Sequence, residues 1–191
     1  MSKQTDFISK HKDAVIEATY GTKIFPSVKM AQMIVESGWG ETAPVIYANN
    51  YFGIKADPSW KGEKIELNTP KDAKKKNYFR KYKSALDSIV DHSSFLIDNK
   101  RYENAGVFNA KTPEDQIKAI KNAGYAEASN YVSTLTSIIN SNNLKKLDEE
   151  AKSYKPRKRI SIKNVNYTTT ILIGLGIVAG YVLYKKLKLK K

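Results

Sequence analysis

Glu36 is the residue whose type and surroundings best suit chemistry. It lies in the run Ala31-Gln32-Met33-Ile34-Val35-Glu36-Ser37-Gly38-Trp39-Gly40, where the apolar end of a helix delivers a carboxyl group into a glycine-rich turn beside Trp39. Desolvation disfavours the charged form of a carboxyl, so such a place raises its pKa. A carboxylic acid that keeps its proton near neutrality is what cleavage of a glycosidic bond requires. The same spacing is also compatible with a solvent-exposed glutamate at a helix end. Other chemistries are closed. The chain has no cysteine, which removes disulfides, thiolate metal sites and cysteine nucleophiles. Its two histidines, His11 and His92, cannot build a multi-histidine zinc site, and a Ser-His-Asp triad has only those two to draw on.

The elements that must position Glu36 are mostly helical. Phe7, Ile8, His11, Ala14, Val15 and Ala18 recur at helical spacing. Pro26 is a good first residue for a second helix, which carries Val28, Ala31, Ile34 and Val35 up to Gly38 and Gly40. Ser84 with Asp87 resembles a capping box for a helix bearing Leu86, Ile89, Val90 and Phe95. Thr112-Pro113-Glu114-Asp115 is a stronger start signal, and Gly124 is placed to stop that helix after Ile117 and Ile120. A last amphipathic helix carries Tyr131, Leu135, Ile138 and Ile139. Between Trp60 and Tyr82 the short alternating segments 64–67 and 78–82 predict a small hairpin lobe.

At 191 residues, 41% hydrophobic and 27% charged, the chain suits one packed domain with an appendage. The net charge of +14 is uneven: residues 1–147 hold 22 basic and 16 acidic residues, and 148–191 hold 11 and 3. A basic balance favours polyanions in general, among them nucleic acid, anionic lipid and the acidic polymers of a bacterial envelope. The first twelve residues hold no apolar run of the kind a signal peptide needs. Residues 164–184 carry no charge; at ~1.5 Å per residue they span about 30 Å as a helix, the thickness of a bilayer's hydrocarbon. The expected organisation is a domain over 1–147, a basic juxtamembrane linker over 148–166, a transmembrane helix over 167–185 and a basic tail over 186–191. Tyr167, Tyr181 and Tyr184 suit the lipid interface, and both flanks are basic, which leaves orientation open. The Lys155-to-Arg159 run suits lipid headgroups better than nucleic acid because a span follows it. Gly176 and Gly180 form a GxxxG step that could let two helices self-associate, although small residues are common in membrane helices generally.

Five motifs in order carry a resemblance. The Glu36 run, Asn49-Asn50-Tyr51-Phe52-Gly53-Ile54-Lys55, Phe79-Arg80-Lys81-Tyr82, Asp91-His92 and Ala123-Gly124-Tyr125-Ala126 closely resemble the glucosaminidase family of peptidoglycan hydrolases, glycoside hydrolase family 73, over about residues 5 to 144. The resemblance implies a mainly α, lysozyme-like domain with a small β-lobe beside a substrate groove. It implies hydrolysis of the β-1,4 bond between N-acetylglucosamine and N-acetylmuramic acid, with Glu36 as general acid and Tyr125 at the active site. No metal or cofactor is implied. Family members often carry a β-lobe glutamate shortly after a threonine; here Thr69-Pro70-Lys71-Asp72 leaves Asp72 as the nearest substitute, with Glu63 and Glu66 as further candidates. A separation of ~6.5–9.5 Å from Glu36 would suit a base for inversion and ~5–5.5 Å a nucleophile, while attack by the substrate's own acetamido group would need no second carboxylate. Asn50, Phe52, Trp60 and Glu66 are the expected substrate-binding residues. Trp39 is expected to pack behind the helix of Glu36 and His92 to support the fold. Glu127 stands where relatives usually have threonine.

The leading expectation is therefore a membrane-anchored peptidoglycan glycosidase with glycan strands and a lipid membrane as its partners. A lytic transglycosylase shares the acid and the fold but would release anhydro-sugars. A wall-binding structural module would keep the groove without turnover, and a nucleic-acid binder rests on charge alone. Two locations fit: the bacterial envelope, or the internal membrane of a lipid-containing phage virion, where the protein would open the wall during infection or release progeny.

Overall fold

The computed structural model describes residues 2–67 and 76–156. The expected transmembrane helix, the Gly176/Gly180 step, the expected basic tail and Asp72 lie outside the described residues. Among the described residues no helix is long and apolar enough to cross a membrane.

Eight helices and one two-stranded sheet make up the described chain: α1 (Lys3–Thr19), α2 (Pro26–Ser37), α3 (Ala43–Ala48), β1 (Lys64–Glu66), β2 (Tyr78–Arg80), α4 (Ala85–Asp98), α5 (Lys100–Asn104), α6 (Pro113–Asn122), α7 (Tyr131–Ser141) and α8 (Lys145–Ser153), with a 3-10 turn at Val107–Asn109. The sheet is antiparallel, pairing Lys64 with Arg80, Ile65 with Phe79 and Glu66 with Tyr78, and Lys55 adds an isolated bridge to Phe79. This is the expected helical domain with a small β-lobe.

α2 is the axis of the domain. It packs against α1, α6, α7 and α8, and Val28, Met30, Ala31, Met33 and Ile34 are all fully buried. A helix apolar on nearly every side has to lie in the core, and that placement brings Glu36, in its last turn, to the wall of a cleft. Pro26 starts the helix, and Gly38 ends it in the left-handed conformation at φ 53°. Glycine adopts that conformation without the clash a Cβ would bring. Gly40 turns the chain again at φ 86°, and a Cβ there would lie 3.2 Å from the Phe7 ring.

The caps expected from sequence form: the Ser84 hydroxyl accepts from the Asp87 N–H and the Thr112 hydroxyl from the Asp115 N–H. The expected boundary at residue 147 falls inside a helix. α8 runs on to Ser153, with Leu147 buried and Ala151 and Tyr154 against the core. Residues 148–153 thus pack with the domain, because Leu147, Ala151 and Tyr154 recur on one side of a helix otherwise rich in charge.

Candidate active site

Lys29, Gln32 and Glu36 follow one another at i, i+3 and i+7 on α2, which places the three polar side chains on one face of an apolar helix. Lys29 and Gln32 are fully buried. Glu36 alone reaches the cleft, where it is half-buried, and burial raises its pKa above the ordinary carboxylate value. The cleft has a volume of about 340 Å³ and is lined by Glu36, Phe52, Asp57, Arg80, His92 and Tyr125, among others.

Tyr125 follows Gly124, whose φ of 78° ends α6 and turns the next side chain back onto the body. The Tyr125 hydroxyl lies 3.0 Å from His92 Nε2. Burial, and secondarily the charge of Glu36, push the phenol pKa well up, so Tyr125 keeps its proton. His92 is buried on α4, its ring stacked on Phe52 at 3.9 Å and 4°, and its Nδ1 lies 2.6 Å from Lys29 Nζ. Tyr131 packs beside this group, its ring 5.9 Å from Tyr125 and tilted by 39°, and its hydroxyl accepts from Gln32 Nε2 at 3.0 Å.

The β-lobe supplies the other wall. Arg80 on β2 donates to both Asp91 carboxylate oxygens at 3.1 and 2.9 Å and to Asp57 Oδ2 at 2.9 Å. The Tyr82 hydroxyl adds a 2.7 Å bond to Asp91. The Ser59 hydroxyl and N–H also donate to Asp57. These bonds, Ser59 first and Arg80 after, hold the Asp57 carboxyl well below the ordinary range, so it is an anion near neutral pH. The cleft therefore joins one carboxyl biased towards its proton and one held ionised, the contrast that separates acid from charge-stabilising roles.

Several expected residues take different places. Asn50 is buried; its amide donates to the carbonyls of Ile54 and Arg80 and accepts from the Ile54 N–H. With its amide committed to the backbone, Asn50 shapes the loop and does not present itself to a substrate. Phe52 lines the cleft, but its ring face is covered by His92. Trp60 lies on the lobe, with the Arg80 guanidinium 4.5 Å over its ring and its indole N–H donating to the Glu63 carbonyl. Glu66 and Glu63 face outward on the lobe, paired with Lys76 and Lys81, and neither lines the cleft. Trp39 packs edge-on to Phe7 at 5.7 Å, behind α2 as expected. His11 is buried between Phe7 and Tyr51, and desolvation, aided by Lys10, lowers its pKa to about 4. Glu127 is exposed. Glu36 and Tyr125 are the two expected residues brought together, with Phe52 at the same cleft.

Asp57, Arg80 and Lys29 emerge only from the structure as partners of this site. Arg80 stands inside a motif already singled out. Lys29 carried a signal as well, since a lysine in an apolar helix seven residues before Glu36 faces the same way.

The glucosaminidase family model, described as mannosyl-glycoprotein endo-beta-N-acetylglucosaminidase, matches residues 12–144. The peptidoglycan hydrolase FlgJ of Salmonella typhimurium is 42% identical over 120 residues, which are 58% of this chain and 37% of that protein. The exo-glucosaminidase LytG of Bacillus subtilis is 29% identical over 160 residues, 78% of this chain and 54% of its own length. The chain thus spans 37% of the one and 54% of the other. Among solved structures, the glycoside hydrolase domain of Salmonella typhimurium FlgJ superposes with a TM-score of 0.64 at 35% identity, covering 80% of this chain and 94% of that one. The catalytic domain of the autolysin Auto from Listeria monocytogenes gives 0.66 at 28%, covering 78% and 89%.

Proposed function

Because the chain belongs to the glucosaminidase family, we propose that it is a peptidoglycan hydrolase that cleaves the β-1,4 bond between N-acetylglucosamine and N-acetylmuramic acid by acid catalysis from Glu36. The observation that carries this is the half-buried Glu36 carboxyl, its pKa raised by burial, on the wall of a cleft beside Tyr125. A protonated Glu36 donates to the bridging oxygen as the bond breaks and positive charge gathers on the sugar ring. Tyr125, neutral and close to Glu36, offers its hydroxyl to the same region. The fixed anion of Asp57 favours the developing cation electrostatically.

The residue that activates water is proposed as Asp72, with Asp57 as the carboxylate that lines the cleft among the described residues. Comparing Asp72→Asn with Asp57→Asn on purified peptidoglycan separates them: the variant that loses turnover carries the role. If neither does, the substrate's acetamido group is the nucleophile. Mass spectrometry of the released muropeptides tests the reaction itself. Reducing-end N-acetylglucosamine is the expected product. Anhydro-muramic ends would instead make the protein a lytic transglycosylase, which uses the same acid, and intact glycan strands that bind but are not cut would make it a wall-binding module.

The proposal extends to location. The 21 uncharged residues between Lys163 and Lys185, with basic residues on both sides, support a membrane span that holds the enzyme against the wall, in a bacterial envelope or in the membrane of a virion. Extraction of the full chain by detergent and not by alkaline carbonate is the expected behaviour; release by carbonate alone would contradict it.

A further inference from the structure

From the cleft wall a chain of polar groups runs into the interior, through Tyr125 to His92 and Lys29. Lys29 and His92 are 0% and 1% exposed. Lys29 Nζ lies 2.6 Å from His92 Nδ1, and His92 Nε2 lies 3.0 Å from the Tyr125 hydroxyl. The imidazole cannot swing, being stacked on Phe52 at 3.9 Å and flanked by Phe95 at 6.3 Å and 14°. No ion pair among the described residues compensates Lys29; a buried amine without a carboxylate is costly and needs a reason.

Hydrogen-bond direction supplies one. A lysine amine donates in either protonation state but accepts only when neutral. Burial lowers the Lys29 pKa well below the ordinary lysine value, so the amine's own N–H groups set the direction, and the Phe52 ring, 5.4 Å from Nζ, favours the donating arrangement. With Lys29 donating, His92 Nδ1 must be the acceptor, the ring proton must sit on Nε2, and Nε2 must donate to the Tyr125 oxygen. The phenolic proton then points away from His92, and Tyr125 and Glu36 line the same cleft. If the chain ran the other way, Tyr125 would give its proton to His92 and face the cleft as an acceptor only.

Taking the cleft as the place where Glu36 meets substrate, we propose that Lys29 and His92 are positioning residues that set the polarity of Tyr125, turning its hydroxyl proton outward as a donor to the reacting sugar. Both act by fixing which end of the tyrosine hydroxyl the cleft sees.

The experiment uses the full chain. Nitrogen-15 NMR of its two histidines reads the tautomer directly, and the proton of His92 is expected on Nε2; a proton on Nδ1 overturns the proposal. Kinetics on peptidoglycan give a second reading. Tyr125→Phe is expected to lower kcat by about 100-fold, the scale of one lost donor to developing charge. Lys29→Met, similar in size but without a donor, is expected to lower kcat by about ten-fold with KM within about two-fold, and by less than about two-fold when Phe already replaces Tyr125. Equal losses in both backgrounds would mean that Lys29 only supports the fold, and would overturn the inference. Should Lys29→Met fail to fold, the wild-type tautomer still decides. An inactive wild-type chain overturns the hydrolase proposal, and the tautomer measurement again decides this one.

Discussion

Replacing Asp148 tests how α8 holds the helix that carries Glu36. α2 begins at Pro26, which lacks an N–H, and its N-cap residue Phe25 offers no side-chain acceptor. The first donor needing a partner is the Ser27 N–H, and Asp148, 121 residues away, accepts it at 2.8 Å and the Ser27 hydroxyl at 2.7 Å. Ser27 is fully buried, so removing the carboxylate strands two donors without water. Two bonds to a charged group, at about 1.5–3 kcal/mol each less the relief of leaving no carboxylate half-buried, put Asp148→Ala at about 2–3 kcal/mol. For a domain of this size that lowers Tm by roughly 4–12 °C. Asp148→Asn behaves differently, since its carbonyl still accepts from the Ser27 N–H and its amide can donate to the hydroxyl oxygen; it is expected within about 1 kcal/mol of wild type. Burial raises the Asp148 pKa above 3.8 despite the two bonds. A carboxyl whose folded pKa is raised contributes most below its unfolded pKa and loses that contribution as pH rises through the folded value. Asp148→Asn therefore gains on wild type as pH climbs through that window and then levels. Urea unfolding of both variants between pH 3 and 7 is the assay. Asp148→Ala within about 0.5 kcal/mol of wild type would refute the anchoring role.

Glu36 must be protonated to act, and burial raises its pKa, so the alkaline limb of kcat/KM should lie above the ordinary carboxylate value and disappear in Glu36→Gln. A limb at that ordinary value would show an acid in free contact with water. Arg80→Met should lower stability by about 2 kcal/mol, less than the ~3–5 of a fully buried broken pair because Asp91 keeps the Tyr82 hydroxyl. It should also change the fluorescence of Trp60, on which Arg80 stacks; an unchanged spectrum and Tm would remove Arg80 as the tie between lobe and body.

Much of this arrangement is legible in residue order, and the rest depends on packing. Pro26 and Gly38 bound α2 in sequence as they do in space, and the Ser84 and Thr112 caps form, because these signals act within one turn of chain. α3 and α5 are six and five residues long, too short for a hydrophobic period to show, and α8 is hidden by its charges. Motif resemblance leads to Glu36 and Tyr125 but does not distinguish a residue that touches the cleft from one that shapes it. Asn50 belongs to the second kind, since its partners Ile54 and Arg80 are known only once the lobe is folded. The Lys29–His92 contact joins residues 63 apart, and no local pattern announces it. Asp57 looks like an ordinary loop acid until Arg80 and Ser59 are seen to hold it at the cleft.

The most direct measurement sets purified full chain against Glu36→Gln on peptidoglycan, counting new reducing ends with both proteins shown to be folded by Tm. Loss of a positioned general acid should lower kcat by about 10²–10⁴-fold with the fold intact. A Glu36→Gln protein that releases sugar ends at the wild-type rate would place the proton donor elsewhere and contradict the account.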